Sequence, residues 1–176
     1  MEILNTLQQY DSRLFTRVFR QGERRMVIPL ARAVSHSADG YLHAILVLLL
    51  FASGSDLALA LLQLLTLALF IERSLYFSLK NGLRRRRPED AEPGFKSLIT
   101  ASDQFSFPSG HTSGAFLLVT SALLIYGTSL APLYMWSAGV ALSRVLLGVH
   151  YPGDTLAGAA MGSLVTIGSA HLLGVL

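Results

Sequence analysis

Long apolar runs separated by short polar turns constrain this chain more than any other feature of its sequence. The clearest run extends from Leu57 to Leu79, which is long enough for the roughly 20 residues that a helix needs to cross a bilayer. Backbone polar groups in lipid must be satisfied within the segment, so such runs are expected to be helical. Further apolar runs cover residues 41–53, 111–126, 130–149 and 155–176. The sequence therefore predicts an all-α, multi-pass transmembrane bundle of about five spans.

Two of these runs carry more detailed expectations. The 41–53 run is short for a crossing, so its helix is expected to borrow a turn from before Gly40 or to tilt little in a thinned bilayer. In the last run Gly158 and Gly162 stand four residues apart, a spacing that lets helices approach closely. We therefore expect the last span to lie unusually close to a neighbouring helix.

The first 38 residues predict an amphipathic segment that precedes the bundle. Residues 2–20 predict a helix in the membrane interface, with an ordinary soluble packing helix as the alternative. Residues 24–38 predict a short second helix, ended by Asp39-Gly40, which is too polar to span; whether it enters the membrane is left open. The apolar stripe of the first helix consists of Ile3, Leu7, Tyr10, Leu14 and Val18. Its basic residues are Arg13, Arg17 and Arg20.

Length, charge and cysteine content further limit the classes of protein and of site that this chain can form. The 176 residues fit one domain, with residues 1–38 as the amphipathic segment and 39–176 as the bundle. The net charge is +3, but the basic cluster at 84–87 adjoins membrane-length runs, so nucleic-acid binding is not expected. The absence of cysteine excludes disulfides, thiolate metal sites and a Cys nucleophile. No cleavable signal is expected, because the first 25 residues lack a continuous apolar core.

The number of spans brings the polar residues of the bundle to one membrane face. The second span ends near the 80–108 loop, the third leaves from that side, the fourth returns to it and the fifth leaves again. The polar residues that this order collects are Lys80, Arg87, Ser109, His111, Arg144, His150 and Asp154.

This collection of side chains suits phosphoryl transfer. Lys80, Arg87 and Arg144 can neutralise phosphoryl oxygens, and the helix that opens at Pro108-Ser109-Gly110 offers free N–H groups to an anion. Of the two histidines, one can attack phosphorus while the other protonates the leaving oxygen. Asp154 can reach the His150 imidazole across the Tyr-Pro-Gly turn and fix its tautomer.

Three motifs carry a resemblance to a known family. They are Lys80-x6-Arg87-Pro88, Pro108-Ser109-Gly110-His111 and Ser143-Arg144-x5-His150-x3-Asp154. Together they resemble the signature of the type 2 phosphatidic acid phosphatase superfamily, over roughly residues 35–170. The resemblance implies a helical bundle related to haloperoxidases and a phosphatase that uses neither metal nor cofactor. Membrane members act on lipid phosphates such as phosphatidic acid, phosphatidylglycerophosphate and polyprenyl pyrophosphate, including undecaprenyl pyrophosphate.

The resemblance also implies a role for each motif residue. His150 would be the nucleophile that forms a phosphohistidine, Asp154 its partner, and His111 the general acid. Phosphate would be bound by Lys80, Arg87, Ser109, Gly110 and Arg144. No metal site is expected, because the two histidines and Asp154 lack the carboxylate-rich surroundings that hard cations need.

Several alternatives stay open at this point. A vanadate-dependent haloperoxidase shares the oxyanion pocket, although the apolar spans argue against it, and a non-catalytic membrane protein that retains the fold is a third possibility. Membrane lipids and a lipid phosphate are the expected partners, and the oligomeric state is not predicted. Arg84, Arg85 and Arg86 are expected to form a solvated or headgroup-facing surface, and His36, His43 and His171 to be structural. Asp39 is expected to lie near the site.

The charge distribution bears on which side of a cell (inner) membrane the site faces. All 14 Lys and Arg residues lie on or near the site face, and the opposite turns at 54–56 and 127–131 contain none. The positive-inside rule therefore favours a cytoplasmic site, whereas the family resemblance implies the outer face.

Overall fold

The computed structural model describes residues 2–22 and 26–176. Every regular element in these ranges is a helix, so the predicted all-α class is confirmed. One of these helices, Thr128–Leu133, is a 3₁₀ helix. The α-helices are α1 Glu2–Gly22, α2 Val27–His36, α3 Tyr41–Ser53, α4 Asp56–Leu83, α5 Pro88–Ala91, α6 Gly110–Tyr126, α7 Tyr134–Leu146 and α8 Pro152–Leu172.

Two of these helices, among the described residues, are long and apolar enough to cross a membrane. Helix α4 has 28 residues, about 42 Å at 1.5 Å per residue, and α8 has 21. Helices α3, α6 and α7 are shorter, at 13, 17 and 13 residues. Large apolar side chains such as Phe51 and Phe70 point away from the protein, as expected of surfaces that face lipid rather than water.

The bundle is organised around the contact between α6 and α8, the most extensive of its helix pairs. A Cβ atom added to Gly162 would lie 2.2 Å from the carbonyl oxygen of Ser113, and one added to Gly158 would lie 2.6 Å from that of Ser109. Neither position has room for a side chain. The expected close approach through these two glycines is therefore confirmed, with α6 as the neighbouring helix.

Gly162→Ala is expected to lower the melting temperature of the purified protein in detergent. The added methyl group would overlap the α6 backbone, which cannot move aside as a flexible side chain could, so the cost should reach the upper part of the roughly 1–3 kcal/mol range for overpacking. Gly168→Ala on the same helix is the matched control, because its Cβ would meet open space. Equal melting temperatures for the two variants would contradict this account of the α6–α8 contact.

Two predicted spans differ in their boundaries. Helix α3 does not borrow a turn from before Gly40: that residue has a φ of +87°, which breaks the helical path, and α3 begins at Tyr41. The 130–149 run begins as the 3₁₀ helix, which contains Pro132, and α7 ends at Leu146, before the left-handed Gly148. Proline lacks the N–H that a regular α-helix would use.

Helix α1 is amphipathic, but its protein-facing side coincides with the predicted stripe only in part. Tyr10 and Leu14 are exposed, whereas Phe15 and Phe19 are buried against Phe95 and, for Phe15, Tyr151. The side chains of Ile3 and Leu7 lie outside the described part of the chain. Val18 of the predicted stripe packs against the same cluster, so the stripe is confirmed at this position. Through these residues α1 packs on the end of the bundle that carries the polar motifs.

Candidate active site

A cavity of about 1160 Å³ collects most of the polar residues singled out in the sequence. It lies among α2, α4, α6 and α7, and Arg32 and Arg73 also lie along its wall. Lys80, Ser109 and Asp154 are buried and do not line it. The predicted site residues that line it are Arg87, Gly110, His111, Arg144 and His150.

His150 is a buried imidazole held next to a buried carboxylate. It lies in the turn between α7 and α8, and its Nδ1 is 3.6 Å from Oδ2 of Asp154, an ion-pair distance that is too long for a hydrogen bond. Burial lowers the pKa of His150 to about 4; the Asp154 carboxylate opposes this shift, while Arg87 and Arg144 add to it. The imidazole is therefore neutral near pH 7, as a nucleophile must be.

Asp154 is fixed by two contacts and cannot turn freely. Its Oδ2 accepts a hydrogen bond of 2.8 Å from the backbone N–H of Tyr151, which caps the first turn of α8. Its Oδ1 accepts one of 2.6 Å from the Arg85 guanidinium, which also lies over the Tyr151 ring at 4.3 Å. Asp154 is fully buried, and such a carboxylate needs these partners to remain ionised.

Arg85 corrects one prediction from the sequence. It was expected on a solvated face with Arg84 and Arg86, which are exposed. Instead Arg85 donates to Asp154 and to Asp11 of α1, each at 2.6 Å. The Asp154 carboxylate and the Asp11 partner raise the pKa of Arg85 despite its burial. The amphipathic helix α1 is thus connected to the carboxylate beside His150 through a single guanidinium.

Lys80 and Arg87 both contact Asp103, a residue that sequence reasoning missed. The Lys80 ammonium donates to Oδ2 of Asp103 at 2.7 Å, and Arg87 binds the other oxygen. Tyr76 also donates to this carboxylate. Burial opposes ionisation, but the hydrogen bonds from Lys80 and Tyr76 lower the pKa of Asp103 to about 2. No local pattern marks Asp103, because it lies in an irregular loop between two motifs.

The N-terminus of α6 forms another part of the cavity wall. Ser109 is fully buried, and its hydroxyl lies 3.0 Å from that of Thr112. Its backbone N–H donates to the carbonyl of Asp154 at 3.0 Å, which connects α6 to the start of α8. A Cβ on Gly110 would lie 3.0 Å from the Tyr76 ring, so a side chain here would be tightly crowded. This arrangement leaves a helix N-terminus, which favours anions, beside the two histidines.

Arg144 has hydrogen-bonding capacity that the described residues do not use. Its exposed fraction is 4%, and one guanidinium nitrogen donates to Ser35 of α2 at 2.7 Å. Its Nε is buried and has no hydrogen-bond partner among the described residues. An unpaired buried donor of a cation is costly, and an anion in the cavity would relieve that cost.

His111 lies beside Asp39, which confirms that Asp39 is near the site. Nε2 of His111 is 2.7 Å from Oδ1 of Asp39, and Nδ1 of His36 lies against the other oxygen. Burial opposes ionisation of Asp39, but its hydrogen bonds with His111 and His36 lower its pKa. His36, expected to be only structural, therefore contacts a group of the site. The side chain of His43 lies outside the described part, and His171 is exposed.

Comparisons with known proteins agree with the motifs. A model of the PAP2 superfamily matches residues 57–175. The chain is 36% identical over 98 residues to decaprenylphosphoryl-5-phosphoribose phosphatase of Mycobacterium tuberculosis, covering 54% of this chain and 52% of that protein. It is 38% identical over 74 residues to undecaprenyl-diphosphatase of Sulfolobus acidocaldarius, covering 39% and 34%. The chain thus spans about half the length, or less, of these curated relatives.

Two solved structures share most of the fold. The crystal structure of Aquifex aeolicus LpxE superposes with a TM-score of 0.75 at 25% identity, covering 90% of this chain and 93% of that chain. A transmembrane PAP2 type phosphatidylglycerolphosphate phosphatase from Bacillus subtilis gives a TM-score of 0.77 at 22% identity, covering 97% and 87%. The second comparison supports the fold alone, which is that of a membrane helical bundle.

Proposed function

Because the chain belongs to the PAP2 superfamily, we propose that it is a membrane phosphatase that removes phosphate from a lipid phosphate or pyrophosphate. The observation that carries the proposal is the neutral, buried His150 beside Asp154, in a cavity that also holds Arg144 with an unpaired buried Nε. A nucleophile and an anion site thus share one cavity, as phosphoryl transfer requires. We further propose that residues 1–176 act as one domain, since α1 and α2 contact the site.

In the proposed reaction a phosphohistidine forms and is then hydrolysed. The Nε2 lone pair of His150 attacks phosphorus while Nδ1 faces Asp154, and the bond from phosphorus to the leaving oxygen breaks. His111 gives that oxygen a proton. In the second step His111 takes a proton from water, the resulting hydroxide attacks phosphorus, and the phosphorus–nitrogen bond breaks. Inorganic phosphate leaves, and both histidines return to their starting states.

The proposed phosphate site uses charges of the protein alone. Arg87 and Arg144 line the cavity, Lys80 lies behind them, and the α6 N-terminus adds the favourable end of its dipole. Together they would stabilise the charge that spreads over the phosphoryl oxygens in the transition state. Asp103 holds Lys80 and Arg87 in place before substrate binds.

A lipid is the proposed substrate because the cavity is larger than a phosphate needs and is partly apolar. Its volume exceeds the roughly 300–1,000 Å³ of typical small-molecule sites, and Leu69 of α4 and Gly114 of α6 extend its wall beyond the polar residues. The names of the two curated relatives indicate that those proteins act on polyprenyl phosphate compounds. Phosphatidic acid, phosphatidylglycerophosphate and undecaprenyl pyrophosphate are the proposed classes to compare.

The purified protein is expected to release phosphate from at least one of these three lipids in the presence of excess EDTA. Lys80, Arg87 and Arg144 supply the positive charge, so no divalent ion is needed. Vanadate should inhibit, because it adopts the trigonal-bipyramidal geometry of the transferring phosphorus. Phosphate release is measured in detergent micelles across the three lipids. Complete inactivation by EDTA with recovery on adding magnesium would contradict the metal-independent reaction.

We also propose that the site faces the cytoplasm. The exposed basic residues Arg84, Arg86 and Lys96 lie in the 84–109 loop that flanks the cavity, and α1 adds Arg13, Arg17 and Arg20. The 127–131 turn at the other end of α6 contains no Lys or Arg. Positive charge in short loops favours the cytoplasmic side.

Single cysteines test this orientation, because the chain has no native cysteine. Lys96 and Ser129 are both exposed and lie before and after α6. In intact cells an impermeant thiol reagent is expected to label Ser129→Cys and to spare Lys96→Cys, with equal labelling of both after lysis. The reverse pattern would place the site on the outer face.

A further inference from the structure

The turn between α2 and α3 contributes a carboxylate to the site from outside the three motifs. Asp39 lies before the 57–175 range matched by the family model. Its backbone N–H donates to the His36 carbonyl at 3.1 Å, and Gly40 follows with a φ of +87°. The Tyr41 hydroxyl donates to the same carbonyl at 2.8 Å. These contacts close the turn and aim the Asp39 side chain at the first turn of α6.

The Asp39 carboxylate has a distinct partner on each oxygen. Oδ1 lies 2.7 Å from Nε2 of His111, and Oδ2 lies 2.5 Å from Nδ1 of His36. The His36 side chain is 70% exposed, whereas that of His111 is 22% exposed. One carboxylate therefore contacts the imidazole inside the cavity while a second imidazole holds its other oxygen from the solvent side.

The Nε2 atom of His111 is the ring nitrogen that hydrogen-bonds to the protein, at Asp39. The hydrogen bond to Asp39 places a proton on Nε2, because an ionised carboxylate can only accept. Nδ1 of His111 makes no hydrogen bond within the described residues, and His111 lines the cavity. The arrangement selects Nδ1 as the nitrogen that faces a substrate, by the same logic with which a carboxylate fixes the tautomer of a catalytic histidine.

Three charged groups act on His111 from the elements packed around it. Burial lowers the pKa of His111 and Arg144 of α7 lowers it further, whereas the Asp39 and Asp103 carboxylates oppose this shift. Asp103 is already bound to Lys80 and Arg87, so its charge is largely compensated. Asp39 is the carboxylate in hydrogen-bonding contact with His111. Its contacts on the other side are with His36, which is exposed to water.

We propose that Asp39 is a positioning residue for His111, which it holds as the Nε2-protonated tautomer and stabilises as the imidazolium. This role rests on the proposed phosphatase function. The imidazolium gives its Nδ1 proton to the leaving oxygen, and the neutral ring keeps its Nε2 proton, which it still donates to Asp39 in a hydrogen bond. Nδ1 then accepts the proton of the attacking water, which restores the imidazolium. Asp39 itself neither gains nor loses a proton.

Asp39→Asn tests this role because it removes the charge and keeps the size of the side chain. We compare kcat on a lipid phosphate, whose alkoxide leaving group needs a proton, with kcat on nitrophenyl phosphate, whose leaving group does not. The variant is expected to lose on the order of 10–100-fold on the lipid and to change less than about threefold on nitrophenyl phosphate. The alkaline limb of kcat for the lipid should move to lower pH, since the imidazolium loses its stabilising charge.

A double-mutant cycle identifies His111 as the group through which Asp39 acts. In the His111→Gln background, Asp39→Asn is expected to cause no further loss on the lipid substrate. Asp90→Asn, an exposed position in the first turn of α5, is the matched control and should behave as the wild type. Equal losses on both substrates, an unmoved alkaline limb or additive losses in the cycle would each overturn the role of Asp39.

The same measurements separate this inference from the function on which it rests. Turnover by the wild-type protein that is lost in His150→Ala supports the phosphatase proposal, whatever Asp39→Asn does. If Asp39→Asn lowers turnover equally on the lipid phosphate and on nitrophenyl phosphate, only the positioning role of Asp39 is overturned. Failure of the wild-type protein to hydrolyse either substrate overturns the function and the positioning role together.

Discussion

His150→Ala is expected to abolish phosphate release, with a loss in kcat of at least ~10³-fold on lipid and nitrophenyl substrates alike. His150 is the neutral imidazole that lies beside Asp154 and lines the cavity. In the proposed reaction, removing it deletes the atom that accepts the phosphoryl group, so a better leaving group cannot compensate. This distinguishes the variant from His111→Gln, which should be far less impaired on nitrophenyl phosphate.

The measurement has two parts and a matched control. Phosphate release gives kcat, and acid-quenched enzyme tests for an acid-labile, base-stable phosphoenzyme, as expected of a phosphohistidine. His171→Ala, an exposed histidine near the end of α8, should retain full activity and form the phosphoenzyme. A phosphoenzyme that still forms in His150→Ala, or turnover within tenfold of wild type, would exclude His150 as the nucleophile.

Arg85→Ala is expected to reduce both stability and turnover, whereas Arg84→Ala and Arg86→Ala leave both nearly unchanged. Arg85 is bound to Asp154, which is fully buried, and to Asp11 of α1. Its loss would leave the Asp154 carboxylate without its cationic partner. Breaking a buried pair costs about 3–5 kcal/mol. We expect about 2–3 kcal/mol here, because the Arg85 side chain is 20% exposed and screening weakens the pair.

The effect on turnover should follow from the position of Asp154 rather than from substrate binding. Without Arg85 the Asp154 side chain keeps only its hydrogen bond from the Tyr151 N–H and is held less firmly against Nδ1 of His150. We therefore expect kcat to fall on the order of 10²-fold while KM changes little. Thermal unfolding in detergent and steady-state kinetics are measured on the three alanine variants. Arg85→Lys retains the charge but lacks the two guanidinium nitrogens that contact Asp11 and Asp154 separately. It should therefore recover part of the stability. Equal behaviour of all three alanine variants would show that the Arg85 contacts contribute nothing to the site.

The sequence alone determined the fold class and the three polar motifs, for reasons that are local. Apolar runs in lipid must be helical because no other backbone form in a single segment satisfies its own hydrogen bonds. The predicted spans alternate in direction, so the turn that follows α7 and the start of α6 are expected at the same end as the 80–108 loop. The structure places Arg87, His111 and His150 around one cavity accordingly. The span order was sufficient for this, although two helix boundaries were misplaced.

The tertiary structure decided what each polar side chain contacts. Asp39 and Asp103 belong to irregular turns with no periodicity or motif, and their partners lie 72 and 23 residues away in sequence for His111 and Lys80 respectively. Such contacts depend on how helices pack, which apolar patterning does not specify. The same applies to α1, whose buried side is set by the Phe95 and Tyr151 rings that it meets.

The four consecutive arginines at 84–87 show most clearly what the sequence determines and what only the tertiary structure decides. In the sequence the four residues are chemically identical, and only Arg87 is distinguished, by its position before Pro88. In the structure Arg84 ends α4 with a φ of +48°, and the chain continues without helix to Arg87, whose backbone is extended. In this irregular segment Arg85 and Arg87 are turned towards the protein, whereas Arg84 and Arg86 are exposed. The sequence supplied the charges, and the direction in which the backbone leaves α4 decided which two of them reach Asp154 and Asp103.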